Sequence, residues 1–112
     1  MLIGYARVST TEQNLDRQTD QLTAQGVDKR NIYSEKITGT KANRPELNRM
    51  IEELQPGDTV VIVDLTRVSR STKDLLSIVD NIKSKGAYIK SLKDTWLDTT
   101  SNNPYNDFLL TV

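Results

Sequence analysis

The sequence predicts an α/β domain of three layers, a mostly parallel β-sheet flanked by helices, and three observations carry that expectation. Short β-prone runs alternate with segments of helical apolar period along the chain. One run, TVVIVDL at 59–65, is apolar at nearly every position, as in a parallel strand covered on both faces. Glycines stand where the helical patterns stop. Such alternation implies right-handed crossovers between parallel strands. The 112 residues read as one domain with one core, without internal repeats or low-complexity segments.

The first strand is LIGYARV at 2–8, ended by the hydroxyl cluster Ser9, Thr10 and Thr11. Helix-forming sequence follows over 12–25, with Leu15 and Leu22 seven residues apart on one face and Gly26 as its stop. Ser9 with Glu12, and Thr10 with Gln13, carry capping-box spacing at its start. A short second strand is expected at 31–34, and EKITGTKANRP at 35–45 reads as a mobile loop because it is polar and lacks apolar periodicity. Pro45 suits the first position of a helix in which Leu47, Met50, Ile51 and Leu54 recur with helical period until the QPGD turn. The run 59–65 is the expected central strand. A further helix spans about 71–85, with Leu75, Leu76, Val79 and Ile82 toward the core and Gly86 closing it, and 87–92 forms the next strand. NPYNDFLLTV has the pattern of the first turns of an apolar helix, so the domain is expected to be truncated where a longer helix begins.

Composition removes several classes of chemistry. The chain has no cysteine and no histidine, which excludes disulfides, thiolate nucleophiles, zinc sites built on Cys or His, and His-based acid/base catalysis. Hydroxyls, carboxylates, amines and guanidinium groups remain. Fifteen basic residues balance fifteen acidic ones, which argues against a domain that holds DNA mainly through overall positive charge. No run is long enough to cross a membrane and the N-terminus lacks the layout of a signal peptide, so a cytoplasmic protein is expected.

Residues two apart in a strand point to the same face, so Tyr5, Arg7 and Ser9 share one side. Parallel sheets bind ligands outside the carboxyl ends of their strands, where free amides and helix dipoles favour anions. If strands one and three are neighbours, DLTRVSR delivers Arg67 and Arg70 to the same edge, and the loop ending at Arg44 reaches it too. Four permanently charged guanidinium groups around one hydroxyl suit a phosphodiester, since each binds phosphate oxygens in parallel and together they stabilise a pentacovalent transition state. Ser9 is the candidate nucleophile.

These residues also carry a resemblance. YARVST at 5–10, then Gln13, Leu15, Asp16 and Gln18 in EQNLDRQ, the NRPEL that contains Arg44, and TRVSRS at 66–71 together resemble the resolvase/invertase family of serine site-specific recombinases over nearly the whole chain. The resemblance implies that Ser9 attacks a DNA phosphate to leave a 5′-phosphoseryl link and a free 3′-hydroxyl, with Arg7, Arg67 and Arg70 holding the phosphate. Gln13, Gln18 and Arg44 would support them. It further implies double-stranded DNA as partner, a homodimer at each site, a synaptic homotetramer, and rejoining without metal, ATP or other cofactor. The long dimer helix and a helix-turn-helix DNA-reading domain would lie outside these residues. One position departs: the family commonly has aspartate directly before the first arginine of the second motif, where this chain has Thr66. Asp64, two residues earlier and so expected on the same strand face, is the candidate to replace it in part.

Plainer readings exist for each residue. Ser9 alone reads as an N-cap, a role compatible with anion binding. Arg67 and Arg70 near a helix start oppose its dipole slightly, which favours use over decoration. Lys41 in the loop and Arg44 suit a solvated face, while Trp96 and Tyr105 suit packing rather than base stacking. The alternative to a recombinase is a degenerate domain that holds a phosphate or a partner protein at the same edge. A phosphatase-like hydrolase remains a minor reading, because it would need a Cys or Asp nucleophile in a suitable loop.

Overall fold

A computed structural model describes residues 1–8, 15–36, 44–68 and 72–94. Four strands alternate with three α-helices among them: β1 (Leu2–Val8), α1 (Asp16–Ala24), β2 (Ile32–Lys36), α2 (Pro45–Glu53), β3 (Thr59–Ile62), α3 (Thr72–Ser84) and β4 (Tyr88–Ser91). The sheet has the order β2-β1-β3-β4 and every pair is parallel. The expected α/β class therefore holds, and strands one and three are neighbours. None of the described helices is long and apolar enough to cross a membrane.

Alternation along β1 divides the molecule into its layers. Ile3 and Tyr5 enter a large core with Val60, Ile62 and Ile89 of the sheet, Leu47 and Met50 of α2, and Ile78, Val79 and Ile82 of α3. Ala6 faces the other way, into a smaller cluster with Leu22 of α1, Val27, Val61 and Val63. Two helices thus cover one face and α1 covers the other. Gly26 and Gly86, at φ +98° and +77°, end α1 and α3 as expected. At each end the residue after the glycine reaches back into the last turn, Val27 N to Leu22 O at 3.2 Å and Ala87 N to Ile82 O at 3.2 Å.

Several boundaries differ from the sequence reading. The second strand starts at Ile32, because Asp28 caps a 3₁₀ turn over Lys29–Asn31, and it continues to Lys36, since pairing with β1 extends to Val8↔Lys36. Glu35 and Lys36 therefore belong to the sheet and not to a loop. In α3, Ile78 takes the buried position, while Leu75 packs only partly on the core and Leu76 is half-buried. The strand expected over 59–65 ends at Ile62, and a 3₁₀ turn, Leu65–Arg67, follows it. Both capping-box pairs, most of the loop before Arg44, and the apolar segment at 103–112 lie outside the described residues.

Candidate active site

Beyond the last β1–β3 pair, Tyr5↔Ile62, β1 runs on while β3 has ended. This leaves the Arg7 peptide groups on that side without a strand to pair with. The Gln18 side chain of α1 takes that place: Arg7 N donates to Gln18 Oε1 at 3.3 Å and Gln18 Nε2 donates to Arg7 O at 2.9 Å. Gln18 is only 4% exposed, so both bonds are made away from water, where an unmade one would be costly.

The Arg7 side chain follows Tyr5 onto the two-helix face and is 2% exposed. It lies under the 3₁₀ turn that continues from β3, with Nε donating to Arg67 O at 3.0 Å and Nη2 to Thr66 O at 2.5 Å. Arg67 returns the contact, its Nη1 donating to Arg7 O at 3.1 Å. Each arginine thus holds the other's main chain. These acceptors are carbonyls, so the bonds fix the position of the guanidinium groups through the main chain.

Asp64 is the N-cap of that turn, accepting from Thr66 N at 3.0 Å, contacting the Thr66 hydroxyl, and lying 3.6 Å from Arg67 Nε. The expectation that Asp64 and Thr66 share a strand face is thereby corrected: the backbone leaves the strand at Ile62, and the two residues meet because Asp64 caps a tight turn.

Arg44 stands at the N-terminus of α2, where Pro45 opens the helix. It is 4% exposed, which corrects the solvated-face reading, and its Nη2 donates to Asp74 Oδ2 of α3 at 2.8 Å. Ser9, Gln13 and Arg70 lie outside the described residues, as do Lys41, Trp96 and Tyr105. Among the sequence-expected residues that are described, Arg7, Arg67, Gln18 and Asp64 form one connected group, and Arg44 stands at the start of α2, on the two-helix face that the Arg7 side chain also enters.

Two further members of the site are Tyr5, which the sequence reading placed beside Arg7 without a role, and Glu35, which it missed. Glu35, 8% exposed and paired with Arg7 in the β1–β2 register, accepts from the Tyr5 hydroxyl at 2.6 Å and from Glu46 N and Leu47 N at 3.1 Å each. A strand carboxylate thus caps α2 from outside the helix, doing what the Arg44 side chain does not. Burial, then the hydrogen bond and charge of Glu35, push the Tyr5 phenol far above its ordinary range, against opposing fields from Arg44 and Arg7. The available signal was the alternation that puts Tyr5 beside Arg7; Glu35 gave none, since a charged residue in a polar run reads as solvent-facing.

The described arginines thus gather fixed guanidinium groups at the carboxyl end of β1, and comparison with known proteins gives the family. Residues 2–112 match the family model for the resolvase N-terminal domain. The chain belongs to the resolvase/invertase family of serine recombinases. It is 72% identical over its full 112 residues to a resolvase of Clostridium perfringens, of which it spans 59%. It is 50% identical over 110 residues, 98% of the chain, to the transposon Tn1546 resolvase of Enterococcus faecium, spanning 56% of that protein. Against the serine recombinase gin of Escherichia phage Mu the identity is 44%, covering 90% of the chain and 51% of the relative. The chain thus spans little more than half the length of these family members. Among solved structures, the N-terminal catalytic domain of TP901-1 integrase superposes with a TM-score of 0.81 at 33% identity, over 98% of this chain and 88% of that one. A resolvase-family recombinase from Streptococcus pneumoniae, 21% identical, shares the fold with a TM-score of 0.74 over 98% of this chain and 83% of that one.

Proposed function

We propose that this chain is the catalytic domain of a site-specific recombinase that cuts and rejoins duplex DNA through a covalent 5′-phosphoserine. The Ser9 hydroxyl attacks a DNA phosphorus: the Oγ–P bond forms, the P–O3′ bond breaks, and the departing oxygen takes a proton to become a free 3′-hydroxyl. Rejoining reverses the step with a new 3′-hydroxyl as nucleophile, so the energy of the broken bond is kept in the ester and no ATP or cofactor is needed. Arg7, Arg67 and Arg70 hold the phosphate and its transition-state charge. Gln18 fixes the strand that carries Arg7, Gln13 and Arg44 assist, and Asp64, coupled to Thr66, handles charge or protons near the leaving oxygen.

The observation that carries this reading is the reciprocal anchoring of Arg7 and Arg67, which holds two charged groups at the carboxyl end of β1, two residues from Ser9. With a net charge of zero, the domain does not depend on overall positive charge to hold DNA, and Arg7, Arg67 and Arg70 are kept for one phosphate. The remaining duplex affinity, the DNA-reading module and the contacts of a dimer per site and a synaptic tetramer are assigned to parts of the protein beyond these residues, in the cytoplasm of a bacterium.

The test incubates the complete protein with a supercoiled plasmid carrying DNA from beside its own gene, quenched with detergent. Protein attached to 5′ ends in wild type and absent in Ser9→Ala is the expected result. DNA binding without adduct in either protein would overturn it in favour of a phosphate-holding module without chemistry, the reading that Thr66 supports.

A further inference from the structure

Arg44 combines three properties rarely found together in a structural arginine. It is nearly inaccessible to solvent, its Nη2 is held by Asp74 Oδ2 at 2.8 Å, and its Nε and Nη1 are buried without a hydrogen-bond partner among the described residues. Buried donors on a permanent charge are costly to leave unsatisfied, so their persistence needs a reason. Arg44 and Arg7 both act electrostatically on the buried Tyr5 phenol.

Asp74 is well suited to hold this arginine. It stands in the first turn of α3, where the helix dipole favours a carboxylate, and its side chain remains 48% exposed while the arginine is buried. The bond therefore ties the start of α2 to the start of α3, and in sequence Arg70 lies four residues before Asp74.

We propose that Asp74 is a positioning residue for phosphoryl transfer, holding Arg44 by Nη2 so that its remaining donors, Nε and Nη1, are left for DNA phosphate oxygens. This rests on the reading of the domain as a recombinase and adds to it a residue that orients the arginine without touching DNA.

The experiment compares the complete wild-type protein with Asp74→Asn, Asp74→Glu, Arg44→Lys and the Arg44→Lys/Asp74→Asn double variant. The readouts are the rate of 5′-adduct formation on the plasmid, duplex affinity and melting temperature. Asp74→Asn is expected to slow adduct formation about tenfold, as for loss of one charge-assisted bond, at unchanged duplex affinity. Asp74→Glu, which keeps the charge, recovers most of the rate. In the Arg44→Lys background the Asp74→Asn change costs less than about twofold, because a residue acting only through Arg44 has nothing left to orient. Equal losses in both backgrounds, or an undiminished rate in Asp74→Asn beside an active wild type, would overturn this inference alone. Absence of any adduct in wild type would overturn the recombinase reading and this inference with it.

Discussion

Glu35 is the joint between the sheet and the helix that carries Arg44, and removing its carboxylate tests that role. In Glu35→Ala the amides of Glu46 and Leu47 lose their shared acceptor, a loss comparable to deleting an N-cap, about 1–2 kcal/mol. The Tyr5 hydroxyl, on a residue 0% exposed, loses its acceptor as well, and a buried donor left unsatisfied costs about 1–3 kcal/mol. Together these give a destabilisation of about 3 kcal/mol. Urea unfolding should show it as a lowered midpoint at unchanged m-value, and melting should fall by roughly 10 °C for a domain of this size. Tyr5→Phe removes only the donor and should cost about 1 kcal/mol, since Glu35 keeps both amides. The double variant should be less destabilised than the sum of the two, because the Phe has no hydroxyl to strand. A Glu35→Ala midpoint shift worth under about 1 kcal/mol would refute this reasoning and leave α2 anchored by its apolar face alone.

Gln18→Ala should cost about 2 kcal/mol by chemical unfolding, because two main-chain groups of Arg7 lose their partner, and Gln18→Glu should do no better, having no N–H for the Arg7 carbonyl. Tyr5 keeps its proton in the folded state at pH values where the unfolded chain has lost it, so stability should be level with respect to this group below its ordinary 10.0 and fall above it. The slope is up to about 1.4 kcal/mol per pH unit and smaller in Tyr5→Phe, measured by urea unfolding at alkaline pH. Gly86→Ala places a Cβ 3.2 Å from that of Pro56 at φ +77°, and should lower stability by at least about 1 kcal/mol in the same assay.

The sequence was most legible where local chemistry and tertiary role coincide. Pro45, Gly26 and Gly86 mark helix ends through their own backbone restrictions, and the apolar run at 59–65 announced an inner strand. It was least legible where a distant residue supplies the partner. The end of β3 at Ile62 depends on Asp64 capping a turn, and an apolar run cannot show where such a turn begins. Glu35 looked like loop because its acceptors' partners, Tyr5 and the amides of Glu46 and Leu47, are 30, 11 and 12 residues away. In the site, Arg7, Arg67, Gln18 and Arg44 came from motif spacing and family resemblance. That Arg44 is buried and bound to Asp74 followed from no local pattern, since the pair joins two helices 30 residues apart.

The central claim, that Ser9 carries the DNA, is tested most directly by finding the bond. The trapped complex is digested with nuclease and protease, and the remaining nucleotide-bearing peptide is sequenced by mass spectrometry. A nucleotide attached through its 5′-phosphate to the Ser9 hydroxyl is the expected result. Attachment to Ser69, Ser71 or any other side chain, or cleaved DNA without an attached peptide, would contradict it.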